Sequence, residues 1–133
     1  MKIINKFEII GRDNFVILEE NIYAYIFDSL EWVNCYQNRT MKKKGINLVG
    51  STYFDRKGQQ KLKKIIEAWL KIFSCSPEVF ILTGNYNLAD NIYQESSFSK
   101  ERVLSQLKEL INKTDEAILK DTLLVCNREK IVK

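Results

Sequence analysis

Leu62, Ile65, Ile66, Trp69, Leu70 and Phe73 recur at i, i+3, i+4, i+7, i+8 and i+11, and no other stretch constrains the fold of this chain as strongly. The spacing closes on a helix of 3.6 residues per turn and gathers large apolar side chains on one face. At about 100° per residue, Lys57, Lys61, Lys64 and Lys71 land on the opposite side. The helix is therefore expected to bury one face and hold a lysine stripe outward. Asp55 stands where it can cap the start, and Pro77 ends any continuation.

The segments around this helix read mostly as strands. Residues 7–10 and 15–18 are apolar runs separated by Gly11-Arg12-Asp13-Asn14, the pattern of a β-hairpin. Residues 22–27 are rich in β-branched and aromatic side chains and are expected to form a strand, with 32–36 pairing against it. A helix over 22–33 is the alternative, since Ile22, Tyr25, Ile26, Leu30 and Val33 also fit a helical stripe. Residues 38–44 read as a basic loop, 45–54 as a strand with a bulge or close approach at Gly50, and 79–83 as a buried strand. Residues 85–97 are polar and read as a long loop, a candidate contact surface.

A second helix is expected from Ser99, which can cap it, with Val103, Leu104, Leu107, Leu110 and Ile111 on its buried face. Thr114-Asp115-Glu116 reads as the start of a short third helix, and 122–126 as the last strand. The 133 residues show no internal repeat and no low-complexity segment. The expected architecture is a single α+β domain over residues 1–133, a mostly antiparallel sheet with two main helices packed on one face.

The chain contains no histidine. That removes the commonest general base near neutral pH and the commonest metal ligand, and it excludes Ser-His-Asp and Cys-His catalysis. The three cysteines, Cys35, Cys75 and Cys126, are odd in number and none has C-x-x-C spacing, so they are expected as free, half-buried thiols. Gly45 and Gly50 have the spacing of a phosphate loop, but Ser51 stands where the phosphate-binding lysine must follow. The adjacent acids Glu19 and Glu20 would point to opposite faces of a strand, and Asp115-Glu116 suits a first helical turn. The expectation is a protein without catalytic residues, cofactor or metal, and not an enzyme. Its apolar runs are no longer than six residues, against roughly 20 for a membrane-spanning helix. The first residues also lack the apolar core of a secretory leader, so a cytoplasmic location is expected.

Charge is uneven. From Arg39 to Lys71 there are ten basic residues against Asp55 and Glu67, a net +8 within a chain of net +4. Before Arg39 the balance is acidic. Two charged surfaces follow as candidates for partner binding. One is acidic, with Glu19, Glu20, Asp28 and Glu31, supplemented by Tyr86 and Tyr93. The other is basic, with Lys42, Lys43, Lys44, Lys57, Lys61 and Lys64, and suits phosphate contacts of a nucleic-acid-binding module. Tyr23, Trp32 and Tyr36 are further interface candidates, with core or edge packing as their other role.

Residues 45–54, the helix over 62–73, and the run from Pro77 through Leu82-Thr83-Gly84-Asn85-Tyr86 together resemble the small immunity proteins of bacterial polymorphic toxin and contact-dependent growth-inhibition systems. The likeness lies in element order and in a lysine-, asparagine- and isoleucine-rich single domain without catalytic equipment. It implies a bacterial, cytoplasmic protein that binds a cognate toxin domain, often a nuclease, and blocks its active site or a substrate surface. Inhibitors of basic nucleases are often acidic, whereas this chain is net basic. The resemblance therefore leaves open whether the acidic or the basic surface meets the toxin.

Overall fold

A computed structural model describes residues 2–38, 42–47 and 49–131, apart from the side chains of residues 2, 44, 84–86 and 94. The chain runs β1 (Lys2–Ile9), β2 (Phe15–Leu18), α1 (Glu20–Leu30), β3 (Asn34–Tyr36), β4 (Lys42–Lys44), β5 (Gly50–Phe54), α2 (Arg56–Ser74), β6 (Val79–Asn87), β7 (Ile92–Ser99), α3 (Lys100–Leu119) and β8 (Leu124–Ile131). Six strands form one antiparallel sheet in the order β2-β1-β8-β5-β3-β4. β6 and β7 pair only with each other, as a separate antiparallel ribbon. The fold is α+β, and none of the described helices is long and apolar enough to cross a membrane.

Side chains alternate across a strand, and the sheet uses that alternation to keep one face dry. Phe7 and Ile9 of β1, Phe54 of β5, and Leu124 and Cys126 of β8 are buried on the helix-facing side. On the outer side Lys6 pairs with Glu129 at 3.2 Å, and Asn127 donates to Glu8. The core is completed by Ile22, Ile26 and Leu30 of α1, Leu62, Ile66 and Phe73 of α2, and Val103, Leu107 and Leu110 of α3. The sheet ends on one side at β4, whose sequence is Lys42-Lys43-Lys44. Lysines on an edge strand oppose pairing with another chain, which gives this run a structural role.

Several expectations are corrected. Residues 22–27 are helical, not a strand. Ile22, Tyr23, Ile26, Ser29 and Leu30 bury one face of α1, and that burial outweighs the strand preference of Ile, Tyr and Phe. Among the described residues of the expected 45–54 strand, only Gly50–Phe54 is extended in the sheet; Gly45 before it and Gly50 at its first position both take positive φ. Within 38–44, residues Lys42–Lys44 pair with β3 rather than looping freely. Residues 85–97 are mostly strand, because β7 pairs back along β6. No third helix starts at Thr114. Its hydroxyl donates to Leu110 O at 2.8 Å and Asp115 pairs with Lys63 at 2.6 Å, so α3 runs on unbroken.

The expected caps form. The Asp55 carboxylate accepts from Gly58 N at 2.9 Å and the Ser99 hydroxyl from Arg102 N at 3.1 Å. Gly58 also marks where α2 presses on the sheet: a Cβ there would lie 2.6 Å from the carbonyl oxygen of Asn34 in β3. A helical Gly→Ala change ordinarily gains about 1 kcal/mol. Here the clash is with backbone, and overpacking of that kind costs about 1–3 kcal/mol. Gly58→Ala is therefore expected to lower the thermal midpoint by several degrees; a raised midpoint contradicts this packing.

Candidate functional site

The acidic residues singled out in the sequence are largely engaged inside the fold. Glu19 receives Arg102 Nε at 2.6 Å and the Gln106 amide, and its own N–H donates to Gln106 Oε1 at 2.9 Å, tying the start of α1 to α3. Glu20 accepts from Arg128 Nη2 at 3.1 Å and from Asn5 Nδ2 at 3.1 Å. Glu31 lies with its carboxylate against Gly45. Asp28 is exposed on α1. These four do not make one open acidic surface.

Beneath Glu20 is a buried polar cluster. Arg128 is 3% exposed, and its guanidinium lies 4.0 Å from the centroid of the Tyr23 ring. Tyr23 is itself buried, and burial, partly opposed by the Arg128 charge, pushes its hydroxyl well above the ordinary tyrosine range. Asn5 Oδ1, the Tyr23 hydroxyl, and Nε and Nη1 of Arg128 have no protein partner among the described residues. Buried groups of this kind are ordinarily satisfied by ordered water. The cluster anchors α1 to β1 and β8.

Exposed large apolar side chains stand on β2 (Phe15, Ile17), at Tyr25, Trp32, Val49, Ile72 and Leu119, and in greatest number on the ribbon. Phe80, Leu82 and Phe98 turn inward, and Phe80 stacks on Phe73 of α2 at 5.8 Å. The alternate residues turn outward: Val79 is 63% exposed, Ile81 58% and Tyr93 56%, with Thr83, Glu95 and Ser97 between them. At the hairpin tip Leu88 is 84% exposed. Residues 79–83 are thus buried on one face only, which corrects the expectation of a buried strand. Tyr93 was singled out from the sequence; Val79, Ile81 and Leu88 were missed. The signal was present as alternation in Val-Phe-Ile-Leu-Thr, but both faces of that run are apolar, so the pattern did not say which was open. The Tyr86 side chain lies outside the described residues, although its backbone pairs with Tyr93.

The basic candidates divide. Lys57, Lys61 and Lys64 are exposed on α2, and Lys42 is exposed on β4. Lys43 donates to Asn47 Oδ1. The Lys44 side chain and all of Arg39 lie outside the described residues. Of the aromatic candidates, Trp32 is exposed, Tyr23 is core, and Tyr36 is half-buried with its hydroxyl donating to Asp55 Oδ2 at 3.2 Å.

Cysteine chemistry is confined by burial. All three described cysteines are free; Cys35 and Cys126 are buried and Cys75 is exposed. Burial, opposed by Lys43, pushes the Cys35 thiol up to about 11, and its Sγ–H donates to Gly45 O at 2.7 Å. Burial drives Cys126 further in the same direction. No group of three acidic or cysteine side chains suited to a metal ion occurs among the described residues. No protein-family model, no curated protein and no solved structure matches the chain.

Glu20→Gln strands a buried guanidinium, whereas Arg128→Met leaves a carboxylate whose side chain is 32% exposed and can reach water. In urea unfolding, Glu20→Gln is expected to cost about 2–3 kcal/mol and Arg128→Met distinctly less; the reverse order contradicts the cluster as described. A thiol reagent at mildly alkaline pH should titrate one cysteine in the folded protein and three in denaturant. A raised folded-state pKa means that the unfolded chain releases its Cys35 proton first. Stability is then unaffected by this thiol below its ordinary value of 9.0 and falls as pH climbs from there towards about 11. Fast labelling of two or three thiols in the folded protein contradicts the burial.

Proposed function

We propose that this protein is a toxin-neutralising immunity protein: it binds a cognate toxin domain, a nuclease, and blocks its active site or substrate surface. In this reading it acts in the bacterial cytoplasm, by complementarity rather than chemistry, and needs no cofactor. The observation that carries the reading is the outward face of the β6–β7 ribbon, where Val79 and Ile81 stand exposed towards one end and Tyr93 towards the other, with Thr83, Glu95 and Ser97 between them. The fully buried core of a protein interface is more apolar than its rim and is enriched in aromatic side chains such as Tyr.

Area sets the scale of the contact. Eight residues at about 3.3 Å each and two strands about 4.8 Å wide give one ribbon face of roughly 250 Å². A standard interface takes about 800 Å² from each partner. The ribbon therefore supplies the centre of the contact, and the Leu88 tip with the body beside Asn21 supplies the surround. Asn21 already touches the ribbon, donating to Ser96 Oγ at 2.6 Å.

The test is capture from the native bacterium with the full chain as bait, washed at low and at moderately high salt. The expected result is one stoichiometric protein carrying a toxin domain, retained at high salt. Ile81→Asp, on an exposed position, should fold normally and weaken that capture at least about thirtyfold, the loss typical of a central interface residue. Absence of a protein partner, or undiminished capture by Ile81→Asp, overturns the reading.

A further inference from the structure

The ribbon has a charge of its own sign. Residues 76–99 hold Glu78, Asp90 and Glu95 and no lysine or arginine, within a chain of net +4. All three carboxylates are exposed. Among the described residues none of them has a cation within ion-pair distance. Glu78 shares a cavity with Lys100, which follows the ribbon directly, so its charge is partly offset. Asp90 stands in the hairpin turn, where it accepts from Asn87 Nδ2 at 3.0 Å. Glu95 lies on the outward face of β7, opposite Thr83. Exposed lysines stand on other elements, Lys42 on β4 and Lys57, Lys61, Lys64 and Lys71 on α2.

β7 borders an open groove of about 650 Å³, lined by Asn21 of α1 and by Ile92, Tyr93, Glu95 and Ser96. Among the described residues Glu95 is the one charged side chain in this lining. Tyr93 is two residues from Glu95 and more than half exposed. That spacing puts both side chains on one side of the strand, roughly 6.6 Å apart along it. Asn21 is fixed at the same groove, because its Nδ2 donates to Ser96 Oγ at 2.6 Å. A carboxylate and an aromatic ring therefore open on one space, and no lysine or arginine lines it.

A planar guanidinium suits both groups at once: its N–H fork pairs with a carboxylate and its face lies on an aromatic ring. We propose that the ribbon docks a cationic partner surface, with an arginine of that partner in the β7 groove, paired with Glu95 and stacked on Tyr93. The proposal rests on the toxin-binding reading and adds the chemistry that the toxin presents: a basic face of the kind that holds phosphates. A free cation would use Glu95 but leave Val79 and Ile81 uncovered, whereas a partner surface meets all of them. The lysines of α2 and β4 repel such a face, and Glu19 and Glu20 are already engaged by Arg102 and Arg128. Charge at the rim steers the approach and sets register, and the apolar residues hold the complex once it has formed.

The experiment titrates the isotope-labelled full chain with blocked tri-arginine and, separately, with tri-citrulline, in which a neutral urea replaces each guanidinium, and follows the NMR signals. Saturable shifts are expected at Asn21 and residues 92–96 with tri-arginine and not with tri-citrulline. Glu95→Gln, at an exposed position, should weaken that binding at least about threefold and Tyr93→Leu at least about twofold, while Tyr93→Phe retains it. With the captured toxin, association should slow several-fold between about 50 and 200 mM salt, and Glu95→Gln should slow it at least about twofold at the lower salt. Equal shifts with tri-citrulline, lack of saturable shifts at these positions, or tri-arginine binding unchanged by Glu95→Gln overturns the proposal. A partner whose capture depends on Ile81 but whose association rate ignores Glu95→Gln overturns it too and leaves the toxin reading standing. Failure to capture any protein sinks the toxin reading, and the tri-arginine titration still decides the groove.

Discussion

Arg128 lies on a central strand of the sheet, under the ring of Tyr23 and within 3.1 Å of a Glu20 oxygen, and the placement of helix α1 depends on it. A buried guanidinium is costly unless its charge is met, and the carboxylate that meets it sits in the first turn of α1. Asn5 joins the same carboxylate and also donates to Leu18 O at 3.0 Å, so β1, β2, β8 and α1 converge on one polar cluster. α1 in turn offers Ile22 and Ile26 to the core and Tyr25 to the seam with α2. The ribbon then packs Phe80 on Phe73 beyond that seam.

That arrangement separates the outward surfaces by chemistry. β4 carries lysines along a sheet edge, where charge discourages pairing. The ribbon has no comparable protection on β6, whose nine residues include no charge. Its inner side is anchored by Phe80, Leu82 and Phe98, and its outer side remains open. An isolated two-stranded hairpin is marginal in water, so this one depends on the body behind it. The apolar residues it displays are held rather than loose, which lowers the entropy cost of using them in a contact.

The elements legible in the sequence were those with local signals. The α2 stripe with its Asp55 cap, the α3 stripe with its Ser99 cap, and the hairpin around Gly11 all follow from spacing and turn chemistry within one segment. α1 was less legible because Ile-Tyr-Ala-Tyr-Ile-Phe favours a strand locally and becomes helical through what it buries. β7 was illegible because Gln, Glu and Ser make a poor strand alone; pairing with β6 creates it. The internal partners of two acidic candidates were hidden for a related reason. The partners of Glu19 and Glu20 are Arg102 and Arg128, 83 and 108 residues away, and no local pattern announces an ion pair at that distance. Arg128 itself sits in Asn-Arg-Glu-Lys, which reads as a solvated strand end.

The open face of the ribbon is the proposed docking surface for a protein partner. Amide hydrogen exchange, compared between the free chain and the chain bound to its captured partner, reads that surface out residue by residue. New protection is expected in residues 79–83 and 92–99, with the sheet strands β1 and β8 unchanged. Protection confined to α2 or to the outer face of the six-stranded sheet, with the ribbon exchanging as before, would contradict it.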